Sequence, residues 1–368
     1  METKLSIKNI ITFMGAFIAF SIGSGFASGQ EVMQYFASYG YQCVLTGLAF
    51  LAILVYTNCS CLMAGHRKKF DKGSDIFYYY CGPYLGKFFD YFATVLCAMS
   101  FVMMVAGASA TLTQQFGWPT WTGAALLAGC ACISTIFGLD AVVDVIGKIG
   151  PVLIVFIMGI AVITLAGDYQ QVPEGAALLA AGETEVLQGG SNWLTSAMAY
   201  GGFALMWFPG FCANLATKHS IKELLWGAVL GQIVTVLTGV VLAFAFIANI
   251  QEVASSQVPS LILAEKIFPS IAVVFAVIIF LAIFSSACPL LWTTAVRFFK
   301  ERSKPYKILT LCLTVAAILV ALLLPFNILV NFLFMLNGYV GFIFVLCMIV
   351  KDVRLLVEKR RKKAQEQG

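Results

Sequence analysis

Charge is what this sequence has least of: 23 Lys and Arg with 18 Asp and Glu make up 11% of 368 residues, against about 25% in ordinary globular chains. A soluble domain of this size is excluded. Histidine is scarcer still, with only His66 and His219, both at the ends of apolar runs among basic residues. HExxH and GxSxG motifs and paired intramembrane aspartates are also missing, so nothing here assembles an enzyme, and the chain reads as a non-enzyme without an organic cofactor. Eleven cysteines are present, but the closest pairs, Cys59/Cys61 and Cys130/Cys132, lack the CxxC spacing of a metal or redox site. They read as small buried hydrophobes.

Apolar sequence fills the rest. Hydrophobic residues make up 60% of the chain and the mean hydropathy is +0.91. Runs near the roughly 20 residues needed to cross a bilayer repeat along it. Ten spans follow, over residues 7–36, 41–65, 88–114, 120–137, 142–166, 193–216, 224–250, 270–296, 308–324 and 328–350. Lys4 and Lys8 before the first run give it the look of a signal peptide, yet the run continues into Glu31 with no Ala-x-Ala site and reads as a retained span.

An even count places both termini on one side. Arg67 to Lys69, Lys218, Lys222, residues 297–307 and the tail from Lys359 to Lys363 fall in alternate connections, with only Lys266 outside that set. The positive-inside rule makes those connections and both termini cytoplasmic. Residues 167–192 carry Asp168, Glu174, Glu183 and Glu185 without Lys or Arg, as an outer loop should. Topology accounts for the basic clusters without a nucleic-acid partner, and attraction to anionic lipid is the alternative for the tail. Residues 73–89, with Tyr78 to Tyr80 and Gly82-Pro83, read as an interfacial helix and turn before the third span.

Within the first span lies Ser21-Ile22-Gly23-Ser24-Gly25-Phe26-Ala27-Ser28-Gly29, followed by Gln30 and Glu31. Each helix-interior glycine costs about 1 kcal/mol relative to alanine, and non-helical backbone at membrane depth survives only where it lines a cavity or is buried in protein. A broken helix offering backbone groups to a ligand follows. The alternative is a small-residue face for close packing of intact helices. Gln30 and Glu31 favour the break and stand as coupling or gating candidates, because intramembrane ionisable groups are functional by default.

The spans divide into two sets of five: a first repeat over 1–166, an extracellular loop over 167–192, a second repeat over 193–350 and a basic tail over 351–368, within one transmembrane domain. Span six, matching span one, is interrupted too, by Gly201-Gly202 after Tyr200 and by Pro209-Gly210. Paired interruptions at matching positions of two halves point to a transporter site, and five spans per half make the repeat inverted by parity. The fold class is all-α, with broken helices one and six. Half-helix N-termini suit a carboxylate. A small amino acid or related zwitterion would place its carboxylate near Gly23 to Gly25, with Ser21 and Ser24 alongside. Its amine would lie near carbonyls of Tyr200 to Phe203, and its side chain would face Met103, Met104, Phe203 and Leu290. A channel lined by the same glycines is the non-transporter alternative.

The stretch from Ile22 to Phe36 resembles the opening of the YkvI-type bacterial membrane proteins, ten-helix members of the amino acid–polyamine–organocation superfamily with the LeuT fold. Val105 to Ser109, and Val258-Pro259 through Lys266, extend the resemblance over most of the chain. It implies a multi-pass protein of the bacterial cytoplasmic membrane working by alternating access. It also implies one sodium ion, held by carbonyls of Ala19 and Ile22 in helix one with the Ala282 carbonyl and the Ser285 and Ser286 hydroxyls in helix eight. The alternative for those serines is bonding back to their own helix. Phe26 stands where the fold's other sodium site needs an amide, so one ion at most is implied. Some relatives replace the ion by a titratable group on helix five, where Asp140, Asp144 and Lys148 lie here. Proton-coupled transport of an amine or nucleobase-like solute is therefore the rival reading, and an i, i+4 Asp144/Lys148 pair at a helix end is the structural one.

Overall fold

The first long apolar run does not fold as one helix. In the computed structural model, which describes residues 5–137 and 140–366 with the side chains of 140–151, 218, 363 and 366 excepted, α1 (Ile7–Ser21) ends where Ile22 turns extended at φ −95° and ψ 105°. The chain re-enters as α2 (Ser24–Ser28), passes Gly29 at φ +86°, and continues as α3 (Gln30–Tyr35). Gly29 is required twice over. Its left-handed backbone favours glycine, and a Cβ there would stand 2.5 Å from Phe246 Cζ and from Ser260 Oγ.

The other helices follow in order: α4 (Cys43–Lys68), α5 (Asp75–Phe116), α6 (Thr120–Phe137), α7 (Asp140–Asp168), α8 (Val172–Ala181), α9 (Trp193–Lys218) and α10 (Ile221–Ala248). After them come the short α11 (Ile250–Val253) and α12 (Pro259–Ile267), then α13 (Pro269–Phe298), α14 (Lys304–Leu323) and α15 (Phe326–Glu366). The interfacial segment is a short helix over 75–81, set off from its span by Gly82 at φ +73° and Pro83. The loop over 167–192 holds α8, and the basic tail continues the helix of the last span.

Among the described residues, eight helices are long and apolar enough to cross a membrane. The broken α1–α3 run and α9, diluted by Gly, Ser, Asn and Pro, complete the ten. The packing carries the inverted pairing: α1 lies on α10 while α4 lies on α9, so spans one and two of one half meet seven and six of the other, and α5 meets α13. Val95, Leu126, Val155, Leu237, Val274 and Leu319 are exposed on the outer surface. Aliphatic side chains there suit a hydrocarbon solvent, where apolar exposure carries no penalty.

Span six departs from the expected break: α9 is helical throughout. Its glycines serve close packing instead. A Cβ on Gly202 would stand 2.5 Å from the Gly338 backbone of α15, one on Gly341 would overlap Gly202, and one on Gly201 would meet Ile53 of α4 at 3.0 Å. Small residues are what lets two helix backbones approach this closely. Gly202→Val should therefore destabilise the protein by about 1–3 kcal/mol, the usual cost of overpacking. A lowered melting temperature in detergent checks this, and an unchanged one would return Gly202 to the pool of ligand-facing residues.

Candidate functional site

The break in helix one sits in the protein interior. Ser24, Gly25 and Phe26 begin α2, and the first backbone bond of that turn is Ala27 N–H to Gly23 C=O at 3.0 Å. Gly23 has no side chain to cap them, and the Ser24 hydroxyl is buried without a partner. Glu31, one and a half turns on, folds its carboxylate back over this turn. A Cβ on Gly25 would overlap that carboxylate, and one on Gly23 would lie 3.9 Å from Glu31 Oε1. Tyr200 of α9 donates its hydroxyl to Glu31 Oε2 at 2.7 Å, and the Phe26 N–H faces the same group. Met104 closes the other side, its Cε 3.8 Å from where a Gly23 Cβ would stand.

The structure thus brings Gly23, Ser24, Gly25, Met104, Glu31 and Tyr200 together. Gly201 and Gly202, expected beside a solute, face α4 and α15 and are corrected to packing residues. Ser21 is likewise turned away: its hydroxyl lies 2.8 Å from Phe17 C=O and 3.3 Å from Gln232 Oε1, committed to α1 and α10. Met103 and Leu290 are buried on α5 and α13, both of which pack on α2. Phe203 stacks on Phe334 of α15 at 3.8 Å. The carboxylate expected from a solute at Gly23 to Gly25 meets that place already filled by Glu31.

On α13, the Ser285 and Ser286 hydroxyls both donate to Ala282 C=O, at 2.8 and 3.2 Å. With its proton turned back along the helix, a hydroxyl keeps its lone pairs free. The hydroxyls are therefore bonded back to their own helix, with the Ala282 carbonyl accepting from both, and α13 packs directly on α2. Ala19 and Ile22 sit in and just after the last turn of α1. Asp140, Asp144 and Lys148 lie outside the described side chains.

Polar ties join the helices on both sides of the break along the chain. Away from the termini, Gln30 Nε2 donates to Ser256 C=O at 2.6 Å, and Gln34 Nε2 to Asn327 C=O at 2.9 Å. Asn331 Nδ2 donates to Gln34 Oε1 at 3.1 Å. Next to Ser256 lies a cavity of about 420 Å³ between α5, the connection before α12, the end of α14 and the turn into α15. On the terminal face, Glu223 accepts from Ser6 N–H and from Asn9 Nδ2, each at 2.9 Å, pinning the start of α1 to α10. Asp352 of α15 accepts from Tyr56 at 3.1 Å, and Arg297 meets Asp90 at 2.6 Å. Sequence reasoning passed over Gln34, Glu223, Gln232, Asn331 and Asp352. Their signal was polarity inside or beside an apolar run, without a spacing that would pair them.

No family model matches the chain. It is 22% identical over 288 residues to the uncharacterized membrane protein YkvI of Bacillus subtilis (strain 168), covering 78% of this chain and 79% of that one. It is 25% identical over 136 residues to the uncharacterized protein YyaD of the same organism, and that match spans only 37% of YyaD's length. Among solved structures, MhsT in complex with L-phenylalanine aligns over 93% of this chain and 91% of its own, with a TM-score of 0.61 at 16% identity. Mhp1, a nucleobase-cation-symport-1 family transporter, aligns over 88% and 74% with a TM-score of 0.57 at 14% identity. The Eremococcus coleocola manganese transporter aligns over 95% and 80% with a TM-score of 0.55 at 14% identity. At these identities the likeness to solved structures carries the architecture: with the broken first helix and the inverted pairing, the chain has the LeuT fold, and in sequence it is similar to YkvI.

Proposed function

We propose that the protein is a secondary active transporter that carries a small amino acid, or a related solute bearing an ammonium group, across the bacterial cytoplasmic membrane by alternating access. The observation that carries this reading is the break at Ile22-Gly23 in the protein interior, with the partnerless Ser24 hydroxyl at its edge. A pore would leave a continuous path, whereas a covered site that opens to one face at a time fits a carrier. One sodium ion is the coupled cargo, taken by the Ala19 and Ile22 carbonyls with Ala282, Ser285 and Ser286. Both termini face the cytoplasm, as the basic residues require.

A membrane potential supplies about 2.3 kcal/mol per charge per 100 mV, enough for ten- to a hundredfold accumulation with one coupled cation. Proteoliposomes given a sodium gradient alone should concentrate solute, and those given a pH gradient alone should not. The reverse result would move the coupling to a proton. Conductance without accumulation under either gradient would move the reading to a channel.

A further inference from the structure

Glu31 is a buried carboxylate whose resolved partners are all neutral. Tyr200 donates to it from α9, the Phe26 N–H faces it from α2, and Tyr35 stands nearby on α3. Met104 of α5 lies beside Gly23, its Cε 3.8 Å from where a Gly23 Cβ would stand. Among the described residues no Lys, Arg or His forms an ion pair with it. An ionised carboxylate at this depth is costly unless a cation joins it, and none is paired with it among the described residues.

The Tyr200 side chain that reaches Glu31 comes from a cluster of buried aromatic rings. The Tyr200 ring lies 4.4 Å from Phe50 and 5.5 Å from each of Tyr35, Phe36 and Phe334. Phe334 in turn stacks on Phe203. A ring face attracts an organic cation through its quadrupole, most strongly where water is excluded. The same carboxylate covers Gly25, where no side chain fits beneath it. A free carboxylate on a solute would be driven against Glu31 in a medium that screens little.

Resting on the transport reading above, we propose that Glu31 binds the ammonium of the transported solute and stands in for the solute's own carboxylate. The site then takes a small amine without a free carboxylate in preference to the matching amino acid. Tyr200 orients the carboxylate, and the aromatic cluster around it receives the apolar part of the amine.

Matched pairs test this in the purified, full-length protein in sodium buffer: phenethylamine against L-phenylalanine, and isobutylamine against L-valine, titrated by calorimetry. The amine of each pair should bind at least tenfold more tightly. Glu31→Gln keeps the side-chain size and an oxygen for Tyr200 but loses the charge, so it should lose that preference at least tenfold with its melting temperature retained. Should this variant fail to fold, Glu31→Asp, which keeps the charge on a shorter arm, should bind amines more weakly and still prefer them. Equal or tighter binding of the amino acids by the wild-type protein would overturn the amine assignment and leave transport standing, as would a Glu31→Gln variant that keeps the preference. Binding of neither class by the wild-type protein would count against the assignment and the transport reading together.

Discussion

Replacing Ser285 and Ser286 together by alanine should abolish the sodium dependence of solute binding while the protein stays folded. The two hydroxyls supply two of five proposed oxygens, and in the present structure both donate to Ala282 C=O. That bond directs their protons away and leaves lone pairs for a cation. An interaction of a polar oxygen with a charged group contributes about 1.5–3 kcal/mol, so losing two weakens sodium binding by about a hundredfold or more. Stability should change little, because a serine bonded back to its own helix adds little to that helix. Solute binding measured against sodium concentration gives the answer directly. An unshifted sodium midpoint in the double variant would remove this site from the proposal.

Opening the terminal face is the second large effect expected. Glu223 accepts two hydrogen bonds from the start of α1, at Ser6 N–H and Asn9 Nδ2. Glu223→Ala deletes both and frees the start of α1 from α10. Water should then reach the break from the terminal face. In a background freed of native cysteines, Ser24→Cys, at a position now 1% exposed, should react with a soluble thiol reagent at least tenfold faster when Glu223→Ala is added. Equal rates would mean that the tie to α10 does not hold this face closed and that Asp352 or Arg297 does so instead.

A single ligand-facing role for all the glycines near mid-span does not survive. Gly25 and Gly29 belong to the break: the first lies beneath Glu31 and the second needs a left-handed backbone. Gly202 and Gly338 hold α9 against α15 at backbone distance. A glycine doublet reads the same in both settings. The choice between breaking a helix and packing two is made by whatever lies opposite, and that is not local information.

The membrane architecture is legible in the residues alone, because its causes are local. About 20 apolar residues must cross as a helix since hydrocarbon offers no partner to backbone groups, and the odd count of five such runs per half orients the second half against the first. The break after Ser21 was legible for the same reason: three glycines in nine residues weaken a helix wherever they stand. Only the tertiary structure decided the direction of the long polar side chains. Glu31 follows Gly25 by six residues, and nothing in that spacing says that its carboxylate turns back over the glycine to meet Tyr200, 169 positions away in the chain. Glu223 reaching Asn9 across 214 positions is the same case. In a medium without water a buried polar group takes whichever partner the fold brings to it, and partners brought from a distant helix leave no periodicity in the sequence.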